Sequence, residues 1–199
     1  MKHTIYLIML LFISACGPYL PKSIEVPTIS STGKIQPLST IYIGDKLVST
    51  PSVEVGKFND QRSQNYGILS GSDEVDFNGD ISNQISTAFA DALSEKGFDV
   101  INTSNGKKIA PKVYGVINKW FTEVESNLKG QLKSQAEIEV YILNSKGSKV
   151  YTGNFKGSVK SESPIISNQD VIDSLSDSMG EAIDKAVNDK KLLENIINN

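Results

Sequence analysis

The sequence predicts an α+β domain in which a mixed, mainly antiparallel sheet carries two amphipathic helices on one face. Two observations lead to this prediction. Residues 113–161 contain three runs in which apolar and polar residues alternate with the period of a strand, and residues 80–97 and 168–197 carry apolar residues at helical spacing. A single sheet with both helices on one face buries all these apolar surfaces, so we expect one two-layer domain over residues 39–199.

The first elements of this domain are predicted to be short strands followed by a loop. Residues 41–44 are a possible strand, and residues 53–58 alternate more clearly. The stretch 59–80 is polar and contains three glycines, which favours a long loop.

A helix of about four turns is predicted next, because apolar residues recur at helical spacing from Ile81 to Leu93. Asp80 is the expected N-cap. Lys96 suits the negative end of the helix dipole, and Gly97 suits a left-handed C-terminal stop. Residues 98–101 are predicted to return as a short strand.

Three long strands are then expected to form an antiparallel meander over residues 113–125, 131–143 and 149–161. The period-two pattern assigns the side chains of the first strand to opposite faces, with Val113, Ile117 and Phe121 on one and Tyr114, Trp120 and Val124 on the other. Residues 168–197 form the longest segment of helical periodicity, which predicts an amphipathic helix that closes the domain.

The first fifteen residues have the pattern of a secretory signal peptide. Lys2 precedes an apolar run over residues 5–13, which is too short to remain as a membrane span, and two small residues follow. Ile13-Ser14-Ala15-Cys16 resembles the bacterial lipobox. This resemblance implies cleavage before Cys16 and lipid attachment at that residue. Because Gly17 follows where an inner-membrane retention signal would have aspartate, the enterobacterial sorting rule implies the outer membrane, facing the periplasm.

Composition excludes several kinds of chemistry from the chain after Cys16. The only histidine and the only cysteine lie at positions 3 and 16, so neither a histidine base nor a free thiol is expected in the domain. We predict no catalytic residues, no metal site and no cofactor. The formal net charge of the full sequence is −3, which argues against nucleic acid as a partner, because binding to phosphates requires positive charge.

Residues 16–38 contain four of the seven prolines, together with Ser, Thr and Gly. This composition favours a flexible tether that holds the domain away from the membrane. The alternative is an ordered arm across the domain, in which residues 24–26 pair with a sheet edge.

The order of these features resembles the YajG-type uncharacterised bacterial lipoproteins. The resemblance rests on the lipobox, the short strand ending near Asp60-Gln61-Arg62, the helix ending at Gly97-Phe98, the long strands and the C-terminal helix. It implies an outer-membrane lipoprotein without established enzymatic activity. A looser likeness in fold is to the auxiliary lipoproteins of ABC transporters and to the lipoprotein activators of peptidoglycan synthases.

Three local features are candidate sites. Asp60 and Arg62 are expected either to pair and organise the loop or to bind an anionic group. Trp120, with Tyr114 and Tyr141, is predicted either to form an aromatic patch on the polar sheet face that acts as an interaction surface, or to pack in the core or at the sheet edge under a loop. Residues 73–80 weakly resemble a calcium loop with Glu74, Asp76, Asn78 and Asp80 as ligands, but Ile85 replaces the bidentate glutamate.

Two classes of function follow from these features. The first is a non-enzymatic accessory or binding module that is anchored to the membrane through its lipid and binds a protein, a glycan or a lipid of the envelope. The second is a hydrolase of envelope glycans that uses paired carboxylates, for instance Asp60 with Asp73 or Asp76.

Overall fold

The computed structural model describes residues 23–33, 35, 42–43, 46–47, 50–64, 66–101, 110–125, 130–144, 146–163 and 165–198. The predicted signal peptide and Cys16 lie outside the described residues. The elements, in chain order, are β1 (Ser23–Glu25), β2 (Tyr42–Ile43), β3 (Lys46–Leu47), β4 (Ser52–Val55), β5 (Asn59–Asp60), β6 (Tyr66–Ser70), β7 (Asp73–Asn78), α1 (Ile81–Lys96), β8 (Asp99–Ile101), β9 (Lys112–Glu125), β10 (Gln131–Leu143), β11 (Lys149–Glu162), α2 (Asn168–Val187) and α3 (Lys190–Asn198).

The predicted α+β class is confirmed. The main sheet has the order β1-β7-β6-β9-β10-β11, and β9, β10 and β11 form the predicted antiparallel meander. On its other side β9 pairs successively with β4, β5 and β6, all parallel to it, so these three short segments act as one interrupted strand. β8 continues the sheet beyond β4, and β2 and β3 form a separate two-stranded ladder.

The prediction that residues 59–80 form a loop is wrong. They contain β5 and the antiparallel hairpin β6–β7, which turns at Gly71 and Ser72. Gly71 has a φ of +61°, and a two-residue hairpin turn favours glycine in this left-handed region. The strands are polar because much of β7 is exposed, so composition alone resembled that of a loop.

The helix predicted after Asp80 has the expected boundaries. The Asp80 side chain accepts a hydrogen bond from the backbone N–H of Asn83, and Gly97 ends α1 with a φ of +108°. The C-terminal segment forms two helices rather than one. It breaks at residues 188–189, where the Asp189 side chain accepts from the N–H of Leu192 in the first turn of α3.

The core lies between one sheet face and the helices. It contains apolar side chains from α1, from the long strands and from α2 and α3 in a single cluster. The helix α2 crosses β11 closely at Gly157, where a Cβ atom would lie 1.8 Å from the carbonyl oxygen of Ser178. Glycine is therefore required at this crossing, because any side chain would displace the helix backbone.

Side chains of α2 also cover part of the outer edge of β11, the last strand of the sheet. Glu181 accepts a hydrogen bond from the backbone N–H of Ser158 at 2.8 Å. Lys185 donates to the carbonyl oxygen of Lys156 at 2.8 Å. Two polar groups at the middle of this edge are thus satisfied within the chain.

Residues 23–33 form an ordered arm, which is the alternative to the flexible tether. β1 pairs in parallel with β7, and the chain then runs along α2. Ser176 donates to the carbonyl oxygen of Thr28, and the carboxylate of Asp184 accepts from the backbone N–H and the hydroxyl of Thr32. Ile24 and Ile29 are buried in the core, so apolar contacts as well as hydrogen bonds hold the arm.

Candidate functional site

Asp60 and Arg62 form a close ion pair at the end of β5. Arg62 Nε donates to Asp60 Oδ1 at 2.9 Å, and Nη2 donates to Oδ2 at 3.0 Å. The side chain of Arg62 is only 6% exposed and that of Asp60 is 30% exposed. Both carboxylate oxygens and most of the guanidinium are therefore engaged within the protein, which fits the organising role and leaves little of Arg62 to meet a ligand.

Arg62 connects this pair to the core through aromatic rings. Its guanidinium carbon lies 5.0 Å from the centre of the Phe77 ring, and Phe77 stacks on Trp120 with ring centres 4.7 Å apart. Trp120 is 1% exposed, and its indole N–H donates to the carbonyl oxygen of Leu175 in α2 at 3.0 Å. The fold thus brings Asp60, Arg62 and Trp120 together, but as a packed cluster.

The prediction that Trp120 belongs to an exposed aromatic patch is wrong because of a β-bulge. The β9–β10 register shifts between Lys119 and Ile117, so Asn118 is an extra residue and the following side chains change face. Trp120 then points toward the helices, and Phe121 lies on the opposite face against Tyr66. A one-residue bulge leaves no reliable mark in a single alternating sequence.

Tyr114 and Tyr141 do stack on the sheet face away from the helices. Their ring centres are 5.7 Å apart, and Lys149 Nζ lies 4.1 Å from the centre of the Tyr141 ring. Neighbouring charges on this face pair across the strands, as in the contacts of Glu139 with Lys149 and of Glu137 with Lys156. This face is therefore largely self-paired.

The weak calcium-loop pattern is not formed. Residues 73–78 are the strand β7, in which alternate side chains point the same way about 7 Å apart and cannot converge on one ion. Asn78 donates to Glu25, and Asp80 pairs with Lys57 at 2.8 Å while capping α1. Within the described ranges, no three His, Cys, Asp or Glu side chains come together in a way that could hold a metal ion.

Two carboxylates, those of Asp80 and Asp170, have a lowered pKa, and both lie in the caps of helices. Hydrogen bonds from Lys57 and from the backbone N–H of Asn83 lower the pKa of Asp80. Those from the hydroxyl and the backbone N–H of Ser167 lower the pKa of Asp170, which completes the capping box of α2. A glycosidase acid needs the opposite shift, toward a raised pKa, so these two residues are suited to capping.

Sequence reasoning missed an apolar groove between the arm and the start of α2. The groove has a volume of about 440 Å³ and is lined mainly by apolar atoms. Its walls come from residues 23–28 of the arm, from Ile68 of β6 and from Asn168 and Ile172 of α2. The available signal was the apolar pattern of Ile24 and Val26, which pointed to the arm but not to a groove beside it.

A second, more polar groove of about 370 Å³ lies between β4, α1 and β8. Lys57, Asn83, Ser86 and Thr87 are among the residues that line it. Lys57 is already paired with Asp80, and Ser86 bonds to the backbone N–H of Phe58 and the carbonyl oxygen of Ser82. These contacts leave the apolar groove as the stronger candidate site.

The family comparison agrees with the order of features along the chain. A family of uncharacterised lipoproteins, Lipoprotein_16, matches residues 57–197. The chain belongs to this family. This membership confirms the resemblance to the YajG-type lipoproteins. It shows that the protein is a lipoprotein, and it assigns no function. No curated protein sequence matches the chain.

Among solved structures, a Xanthomonas campestris protein of the DUF330 family is similar in fold. It is 11% identical with a TM-score of 0.57, and the match covers 83% of this chain and 93% of that protein. A PelC dodecamer structure from Paraburkholderia phytofirmans is 14% identical, with a TM-score of 0.43 and coverages of 72% and 91%. A lipoprotein from Caulobacter crescentus is 19% identical, with a TM-score of 0.37 and coverages of 64% and 86%. The first of these likenesses shows the fold alone.

None of the helices in the described part of the chain is both long and apolar enough to cross a bilayer.

Proposed function

We propose that this lipoprotein is acylated at Cys16, faces the periplasm from the outer membrane, and acts there as a non-enzymatic binding module. The apolar groove beside the arm is the observation that carries this proposal. Pockets that bind ligands are typically concave and mostly apolar with a few polar groups, and the groove has this character. Its lining favours an apolar group of an envelope protein or lipid over a sugar as the bound group.

The carboxylate-hydrolase alternative gains no support from the described residues. Asp60 accepts three hydrogen bonds from Arg62, two from the guanidinium and one from the backbone N–H, and these would have to break before it could act as an acid or a base. Asp73 and Asp76 are both exposed residues of β7, and alternation along the strand directs their side chains to opposite faces. We therefore retain the binding module alone.

In-cell photocrosslinking tests the groove directly. A photoreactive phenylalanine analogue at Ile172, which lines the groove, is expected to give one discrete adduct in intact cells, and mass spectrometry identifies it as protein or lipid. The same analogue at Thr87 of α1 is the matched control, because Thr87 is also a helix surface residue but lines the polar groove. Equal adduct patterns at the two positions contradict the proposal.

Acylation is tested separately by mass spectrometry of the protein from membranes. We expect an N-terminal peptide that begins at Cys16 and carries acyl chains, because several chains on one residue are needed for stable anchorage. Cys16→Ser is expected to release the protein from the membrane fraction. An unmodified N-terminus in membrane-bound protein would show that another contact holds the chain there.

A further inference from the structure

The direction of β1 shows toward which end of the domain its N-terminal end points. β1 is parallel to β7, and Ser23 pairs with Asp76, three residues from the start of β7 at the β6–β7 turn. The N-terminal end of β1 is therefore directed toward this turn. The same end of the sheet carries Gly130, whose carbonyl oxygen accepts from the N–H of Ser163 just after β11.

An unusually exposed apolar side chain lies at this end. Ile165 is 81% exposed, and no other large apolar side chain in the described ranges is comparably exposed. It lies in the turn between β11 and α2, three residues before Asn168, which lines the apolar groove. The turn is held by contacts of its neighbours, since Ser163 Oγ accepts from the Ile165 N–H and donates to its carbonyl oxygen.

The reach of the chain restricts how the domain can face a membrane. Seven residue steps separate Cys16 from Ser23, which at about 3.4 Å each span at most ~24 Å. Ser23 lies about 10 Å from the β6–β7 turn, by the rise of three strand residues. The opposite end is farther. Ser23 pairs with Asp76 and Asp76 with Tyr66, and the β6–β9 and β9–β10 pairings continue this level to Ala136. Leu143 lies seven residues, or ~24 Å, beyond Ala136, before the β10–β11 turn is counted.

We propose that the end of the domain formed by the β6–β7 turn, Gly130, Ser163, Ile165 and Ile166 faces the lipid bilayer, and that Ile165 inserts its side chain among the lipids. This inference rests on the proposed acylation of Cys16, because the anchor fixes the distance to the membrane. We assign lipid as the partner of Ile165 because the segment from Cys16 to Ser23 is short, so this end of the domain cannot lie far from the bilayer. The groove beside residues 23–28 then opens next to the membrane surface.

Site-specific fluorescence on the full, acylated chain tests this orientation. Because Cys16 is the only cysteine and the proposed diacylglycerol occupies its sulfur, Ile165→Cys provides a single free thiol for an environment-sensitive probe. Lys146→Cys, in the exposed β10–β11 turn, is the matched control at the opposite end. In phosphatidylethanolamine–phosphatidylglycerol vesicles we expect blue-shifted emission at position 165 and several-fold stronger quenching by lipid-borne quenchers than at position 146.

The outcomes separate the orientation from the anchor. Mass spectrometry of the same preparation and flotation with the vesicles report whether the chain is acylated and bound. Acylated, floating protein whose probe at 165 is no more quenched than that at 146 overturns the orientation while leaving the anchor intact. Protein that is not acylated and does not float overturns the anchor and, with it, the orientation that depends on it.

Discussion

At the scale of single residues, Arg62 shows how a motif that resembles a binding site can be structural. Its guanidinium holds both oxygens of Asp60 and packs over Phe77, and Nη1 lies 3.4 Å from the carbonyl oxygen of Trp120. A planar group with several fixed donors can make all these contacts, whereas a lysine ammonium cannot. The pair therefore fixes the chain between β5 and β6 against the core.

We expect Arg62→Lys to destabilise the protein by about 2 kcal/mol, which is less than the ~3–5 kcal/mol for breaking a fully buried pair because Asp60 is partly exposed. Urea unfolding monitored by circular dichroism measures the change. Lys57→Met, in the exposed pair with Asp80, is the control, and we expect it to lower the free energy of unfolding by less. If both variants lose the same free energy of unfolding, burial of Arg62 contributes nothing to stability.

Asp170 should make stability depend on acid pH. Because its folded pKa lies below the ordinary value of 3.8, its contribution is present above about pH 4 and is lost as the pH falls through the folded pKa. Asp170→Asn is expected to lower the unfolding midpoint in urea at pH 7 and to have a smaller effect at pH 3. Asp177→Asn, on the same helix but away from its first turn, controls for the change in net charge. A loss that is the same at both pH values would contradict this role.

At the scale of elements, the crossing of α2 over β11 depends on Gly157. The Cβ atom in Gly157→Ala would meet the backbone of α2, so we expect a loss of about 1–3 kcal/mol from overpacking. Ser158→Ala is the matched control, because Ser158 is the next residue and its side chain is exposed. Thermal unfolding compares them, and a Gly157→Ala protein as stable as the control would mean that the helix can shift without cost.

The arm depends on the buried carboxylate of Asp184. Its Oδ2 accepts both bonds from Thr32, while Oδ1 is buried and has no hydrogen-bond partner among the described residues. Asp184→Ala is expected to speed hydrogen exchange of the amides in residues 28–32 more than that of β10. Asp173→Ala, which is exposed on α2, is the control. Unchanged exchange in the arm would show that β1 and Ile29 hold it alone.

The elements also show what could be predicted from the sequence. Asp80 and Gly97 mark the ends of α1 because capping is local chemistry, and β10 has the predicted bounds because its alternation is uninterrupted. The bulge at Asn118 and the identity of β7 as the partner of β1 depend on contacts between segments that are distant in sequence, so local patterns showed only that residues 24–26 could pair with some sheet edge. The bulge decides which sheet face Trp120 lies on, and the β1–β7 pairing places the arm beside the groove. The sequence analysis therefore missed both the face of Trp120 and the groove.

At the scale of the whole molecule, α2 connects the parts of the domain. It packs on β9, β10, β11 and α1, and the arm runs along it. The only tryptophan lies between the sheet and this helix. We expect one cooperative unfolding transition, in which Trp120 fluorescence and far-ultraviolet circular dichroism have the same urea midpoint. Separate midpoints would divide the domain into independent units.

The covered edge of β11 has a consequence for a protein held on a surface. Anchored chains diffuse in two dimensions and meet one another often, and an open strand edge is a template for adding further strands. Here Glu181 and Lys185 already bond to the backbone of Ser158 and Lys156. A strand from a neighbouring copy would first have to displace both side chains, so crowding on the membrane does not readily extend the sheet at β11.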